Sequence, residues 1–141
     1  MCEEGNVCRE WNEFISEQKG AKVLKFYLED AMQLLNEMDH TAKVKNRDKN
    51  LEFKIQYGLS DSDICSFVKS LQRSNFVRRI VNKDKKIDAD YLYEFETILQ
   101  LNDEYGLSCM KDIYIKICKL KKLNIILIVS FHPKEYWNRW Y

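Results

Sequence analysis

The sequence predicts a mixed α and β protein of the α+β class, and three observations carry that expectation. Apolar residues between Ala21 and Met38 fall mostly at i, i+3 and i+4 spacing, the period of an amphipathic helix. Ile113, Ile115 and Ile117 alternate with Tyr114, Lys116 and Cys118, the period of a half-buried strand. After a short lysine-rich link, Asn124 to His132 is a largely apolar, β-branched run too short for a membrane span, which reads as a central strand buried on both faces. The last two segments are therefore expected to pair as an antiparallel hairpin.

With 141 residues the chain has room for one domain with a proper core, expected as an acidic extension over 1–20 and a core over 21–141. Its 45% apolar content and few Gly and Pro exclude a disordered or fibrous class. The start is acidic, without the basic and apolar regions of a secretory signal, and no apolar run reaches membrane length. A cytoplasmic protein with no membrane partner is expected. Five cysteines without a CxxC pair fit neither a disulfide framework nor a zinc ribbon, and two histidines make no metal cluster. No metal and no cofactor are expected.

The net charge of +1 hides a gradient. Residues 1–40 carry a net −5, residues 41–100 a net +3 and residues 101–141 a net +3. The basic surplus falls where the sheet should be, so a local anionic partner is compatible with a near-neutral total.

Along the chain, Trp11, Phe14 and Ile15 suggest a short helix over residues 8–18, before Lys19-Gly20, and the longer helix from Ala21 comes next, ending near Asp39-His40-Thr41. Thr41 to Arg47 is polar, extended or turning. Leu51, Phe53, Ile55 and Tyr57 fit a strand or a helix equally, and Gly58 stops whichever forms. Ser60 is a good N-cap, with Asp61 and Asp63 in a first turn whose dipole favours negative charge, so a helix runs on through Ile64, Phe67, Val68 and Leu71. Arg73 to Asp90 is basic and weakly apolar, with Asn82 to Lys86 read as a solvated loop. Tyr91 to Leu99 alternates as a strand, Glu94 and Glu96 opposite Tyr93, Phe95 and Thr97, and Asn102 to Met110 is read as the turn into the hairpin. The aromatic, basic tail from Pro133 to Tyr141 packs on the sheet, extends it as a last helical turn, or stacks on a base.

Three stretches in this order resemble the MqsR-type toxins of bacterial type II toxin-antitoxin modules. They are Tyr57-Gly-Leu-Ser-Asp-Ser-Asp63, Asp112-Ile-Tyr-Ile-Lys116 and Ile128-Val-Ser-Phe-His-Pro133, and Tyr93-Glu-Phe95 is similar to the aromatic strand that precedes the family's hairpin. The resemblance covers about residues 25–135. It implies a RelE-like ribonuclease architecture, a curved antiparallel sheet packed against two or three helices, and metal-independent cleavage of single-stranded mRNA through the 2′-hydroxyl. It also implies a cognate antitoxin as partner.

Carried over by position, the family's active-site tyrosine falls on Tyr114, its late basic residue on His132, its helix lysine on Lys69 and its polar strand residue on Glu94. RNA contacts are expected from Lys116, Arg73, Arg78, Arg79 and Lys134. Such chemistry needs a group to take the 2′-hydroxyl proton, cations on the non-bridging oxygens and an acid for the departing 5′-oxygen. Histidine serves as acid or base near neutral pH, Glu94 is a candidate base, and Lys69 or Lys116 neutralises phosphate. Without the resemblance, His132 reads as a strand-end residue, Tyr114 as a packing aromatic and Lys116 as part of a solvated face. A catalytically silent, protein-directed relative and a non-catalytic RNA-binding module are the alternatives.

Overall fold

The computed structural model describes residues 27–38 and 42–134. The expected helix at 8–18, the helix end near Asp39-His40-Thr41 and the aromatic tail from 135 lie outside them. The chain divides into two compact units, Met1–Asp30 and Ala31–Tyr141. Of the first, residues 27–30 are described and are helical. The second contains the sheet and the elements that pack on it.

The class is α+β: among the described residues there are three helices and one five-stranded mixed sheet. Residues 27–36 are helical (α1), and Ala31, Leu34, Leu35 and Met38 are buried. Then come β1 (Lys43–Val44), α2 (Asp48–Tyr57), α3 (Asp61–Lys69), a 3₁₀ turn (Arg73–Asn75), β2 (Phe76–Val81), β3 (Tyr91–Asn102), β4 (Ser108–Lys119) and β5 (Ile126–Pro133). Strand order is β1-β5-β4-β3-β2. The β4–β5 hairpin forms as expected. The sheet is not wholly antiparallel, because β1 pairs parallel with β5, Val44 opposite Ile128.

The segment that pattern left open, 51–57, is helical. Its buried residues are Asn50, Phe53 and Tyr57, one face of a helix, whereas a strand would have buried Leu51 and Ile55, which stay exposed. Gly58 ends α2 in the left-handed region at φ 62°, and Leu59 N–H reaches back to Lys54 O, satisfying an end carbonyl. The Ser60 cap forms with a reciprocal bond from Asp63, although α3 stops at Lys69 rather than Leu71. Two further readings are corrected. Residues 76–81 form a strand inside the stretch read as basic and weakly apolar, and β4 begins at Ser108, inside the expected turn.

One face of the sheet carries the main core: Phe95, Ile113, Ile115, Ile117, Ile128 and Phe131 meet buried residues of all three helices. On the other face a smaller cluster, Ile87, Leu92, Cys118 and Val129, lies under the β2–β3 connection. That connection is shaped by Asn82, whose side-chain amide donates to the carbonyls of Asp84, Ile87 and Ala89. It covers one end of this second face and leaves the other end open. No described helix is long and apolar enough to cross a membrane.

Candidate active site

Strand alternation alone would put the key side chains in the wrong place. In β5, Ile128 faces the core opposite Ile117, so strict alternation would send Ser130 and His132 coreward as well. The pairing skips, however, from Ile117↔Ile128 to Lys116↔Ser130, leaving Val129 as an extra residue. This bulge reverses the alternation, so Phe131 turns into the core and Ser130 and His132 turn to the open face. The same device appears in β2. Phe76 pairs with core-facing Phe95, Arg78 pairs with Glu94, and Val77 is the extra residue that brings Arg78 to the open face.

Asn50 holds the β5 bulge. With 1% exposure, it donates to Val129 O at 3.0 Å and Lys45 O at 2.9 Å and accepts from Phe131 N–H at 2.9 Å. Arg47, just before α2, makes no side-chain cap for its helix; its guanidinium instead donates to Ser130 Oγ at 3.0 Å and Val129 O at 3.3 Å. A helix start is thereby clamped to the irregular strand.

The result is an open cavity of about 560 Å³. Tyr114 and His132 are paired across β4 and β5, their ring centroids 5.6 Å apart. Glu94 lies on β3 beside Lys116 and is only 5% exposed, yet both its oxygens are engaged: Arg78 Nε donates to Oε1 at 2.5 Å and the Tyr114 hydroxyl donates to Oε2. Lys134 Nζ donates to Glu96 at 2.9 Å at the rim. Five cationic side chains, Arg47, Lys49, Arg78, Lys116 and Lys134, line the cavity against the two carboxylates, so it favours an anion.

Burial, then the hydrogen bond to Glu94, push the Tyr114 phenol far above its usual range, so at neutral pH it is an O–H donor. Burial holds the Lys116 ammonium below its usual range; Glu94 opposes that, while Arg47 and Arg78 add to it. The Glu94 hydrogen bond raises the pKa of Arg78, whose charge is already permanent.

Of the residues singled out from sequence, Tyr114, His132, Glu94, Lys116, Arg78 and Lys134 all line this cavity. Lys69, Arg73 and Arg79 do not. Lys69 is exposed in the last turn of α3, a helix that packs on the opposite, core face of the sheet. Arg73 sits in the 3₁₀ turn before β2. Arg79, next to Arg78 along the strand, points to the other face and stacks over the Tyr91 ring at 3.7 Å. Sequence reasoning missed Arg47, Lys49, Ser130 and Val77. Arg47 comes from the segment between β1 and α2 and Lys49 from the first turn of α2, and the parallel β1–β5 pairing brings them here.

Comparison with protein-family models, with curated proteins and with solved structures gave no match.

Proposed function

We propose that the chain is a RelE-like endoribonuclease of the MqsR type, a toxin that cleaves single-stranded mRNA without a metal and is restrained by an antitoxin. The observation that carries this reading is the convergence of a carboxylate, a phenol and an imidazole on one cavity lined by five cations. A phosphodiester entering the cavity meets Arg78 and Lys116, and its oxygen competes with Glu94 for Arg78. Glu94 accepts the 2′-hydroxyl proton while the 2′-oxygen bonds to phosphorus. The bond from phosphorus to the 5′-oxygen breaks, and that oxygen leaves with a proton from His132, giving a cyclic phosphate and a 5′-hydroxyl. Tyr114 donates its hydroxyl hydrogen to the developing charge, together with Arg78 and Lys116.

The test is incubation of purified protein with single-stranded RNA in EDTA. Cleavage is expected, reduced about 10² to 10⁴-fold by His132→Ala, since each proton-transfer group contributes on that order. A cut that needs added Mg²⁺ overturns the mechanism, and an undiminished rate in Tyr114→Phe makes that residue structural. Binding without product would instead favour the RNA-binding module.

A further inference from the structure

The cavity does not end at the proposed chemistry. Two neighbouring hollows share its lining: one of about 310 Å³ over α2 has Lys49, His132 and Lys134 in common with it, and one of about 600 Å³ beside the β2–β3 connection has Lys116 in common. The three adjoin at those shared residues, a groove whose arms lead away from the cavity over α2 and toward the β2–β3 connection. Beyond Lys116 the groove passes the exposed edge of β2 at Val81 and reaches Lys83.

Lys83 stands on a prepared support. Asn82, its neighbour, ties three carbonyls of the connection and accepts from Asp84 N–H, and Ile87 anchors the same segment in the smaller core. The acid beside it, Asp84, is exposed and also lines the arm, with one carboxylate oxygen accepting from Lys86 N–H at 2.9 Å, so Lys83 and Lys116 together set two cations there against one carboxylate. A lysine held on such a loop binds an anion with little ordering cost. No aromatic ring lines this arm among the described residues, so it offers charge and aliphatic surface rather than base stacking.

We infer that this arm is an extended subsite for single-stranded RNA, in which Lys83 holds a backbone phosphate of the nucleotides that run from the reacting phosphodiester past Lys116. The subsite rests on the ribonuclease reading and gives it a property of its own: affinity that depends on chain length and not on base identity. Charge in a hollow that shares no lining residue with the arm has no part in it. Lys122, in the separate lysine-rich hollow next to the β4–β5 turn, supplies the contrast.

The experiment measures binding of 2′-O-methylated RNA, which cannot be cut, by fluorescence anisotropy across a salt series, with a trinucleotide and a decanucleotide. In Lys83→Gln the decanucleotide is expected to bind about fivefold more weakly, the strength of one exposed charge contact, and its log-log salt slope to fall by about 0.7, one phosphate on a single strand. The trinucleotide should be unaffected, and Lys122→Gln should change neither. Equal weakening of both lengths, no weakening of either, or the same loss in Lys122→Gln overturns the subsite. If the native protein cuts short RNA but gains no affinity with length, the subsite falls and the ribonuclease reading stands. If it neither binds nor cuts RNA of any length, both fall.

Discussion

Lys116 has to be charged to hold a phosphate, and its surroundings work against that charge. Burial and the nearby Arg47 and Arg78 lower its pKa, with Glu94 only partly offsetting them. A lysine with a lowered pKa is neutral at a lower pH than an ordinary one, so RNA affinity is expected to start falling earlier on the alkaline side than for a site of exposed lysines. In Lys116→Arg, whose charge persists above pH ~12, that alkaline limb should move up; an unmoved limb in a pH series of anisotropy titrations would show that Lys116 is not the titrating contact. The same shift has a sign for stability. The unfolded chain binds this proton more tightly, so the cost of the charge is present at neutral pH and is relieved as pH rises through the folded value. Lys116→Met is accordingly expected to raise the urea midpoint at neutral pH while weakening RNA binding, stability gained at the expense of the site.

At the scale of elements, the two bulges decide what the site contains. Val129 and Val77 reverse the alternation of β5 and β2, and His132 and Arg78 reach the cavity because of it. Asn50 satisfies the backbone of the first bulge. Asn50→Ala leaves a buried carbonyl and a buried N–H without that partner, and a loss of about 2–3 kcal/mol in chemical denaturation is expected. Cleavage should fall in the surviving folded protein too, because Ser130 and His132 flank the released backbone. A fully active, fully stable variant would show that the bulge holds without Asn50. This is also where legibility stopped. Ser60 and Gly58 announced a helix start and a helix stop through local chemistry, and the isoleucines of β4 announced a strand through their period. A bulge leaves no such mark, because an inserted valine looks like any other strand residue. The strand at 76–81 was hidden for a related reason: Phe76, Arg78 and Ile80 change faces midway, so no alternation survives to be read. The β1–β5 pairing joins segments more than 80 residues apart, and so Arg47 and Lys49 could not be assigned to the site from their neighbours in the chain.

For the whole molecule, a net charge of +1 gives no general attraction to nucleic acid. RNA affinity is expected to come from local cations, chiefly the five gathered at one cavity, and it should carry the signature of counterion release. If about three of them meet phosphates, the log-log salt slope for single-stranded RNA is expected near −2, and a slope close to zero would remove the electrostatic basis of the site.

The order of the strands also bears on when the molecule becomes functional. Among the described residues, β5 lies inside the sheet, between β1 and β4, yet it comes after every other strand in sequence. During translation a nascent chain can therefore build α2, α3 and the β2–β3–β4 ribbon while the gap between β1 and β4 stays empty. Until residues 126–133 emerge from the ribosome, the imidazole is missing, Arg47 has nothing to clamp and the main core lacks Phe131. On the ribonuclease reading proposed above, a chain assembled in this order stays inert until that strand has joined the sheet.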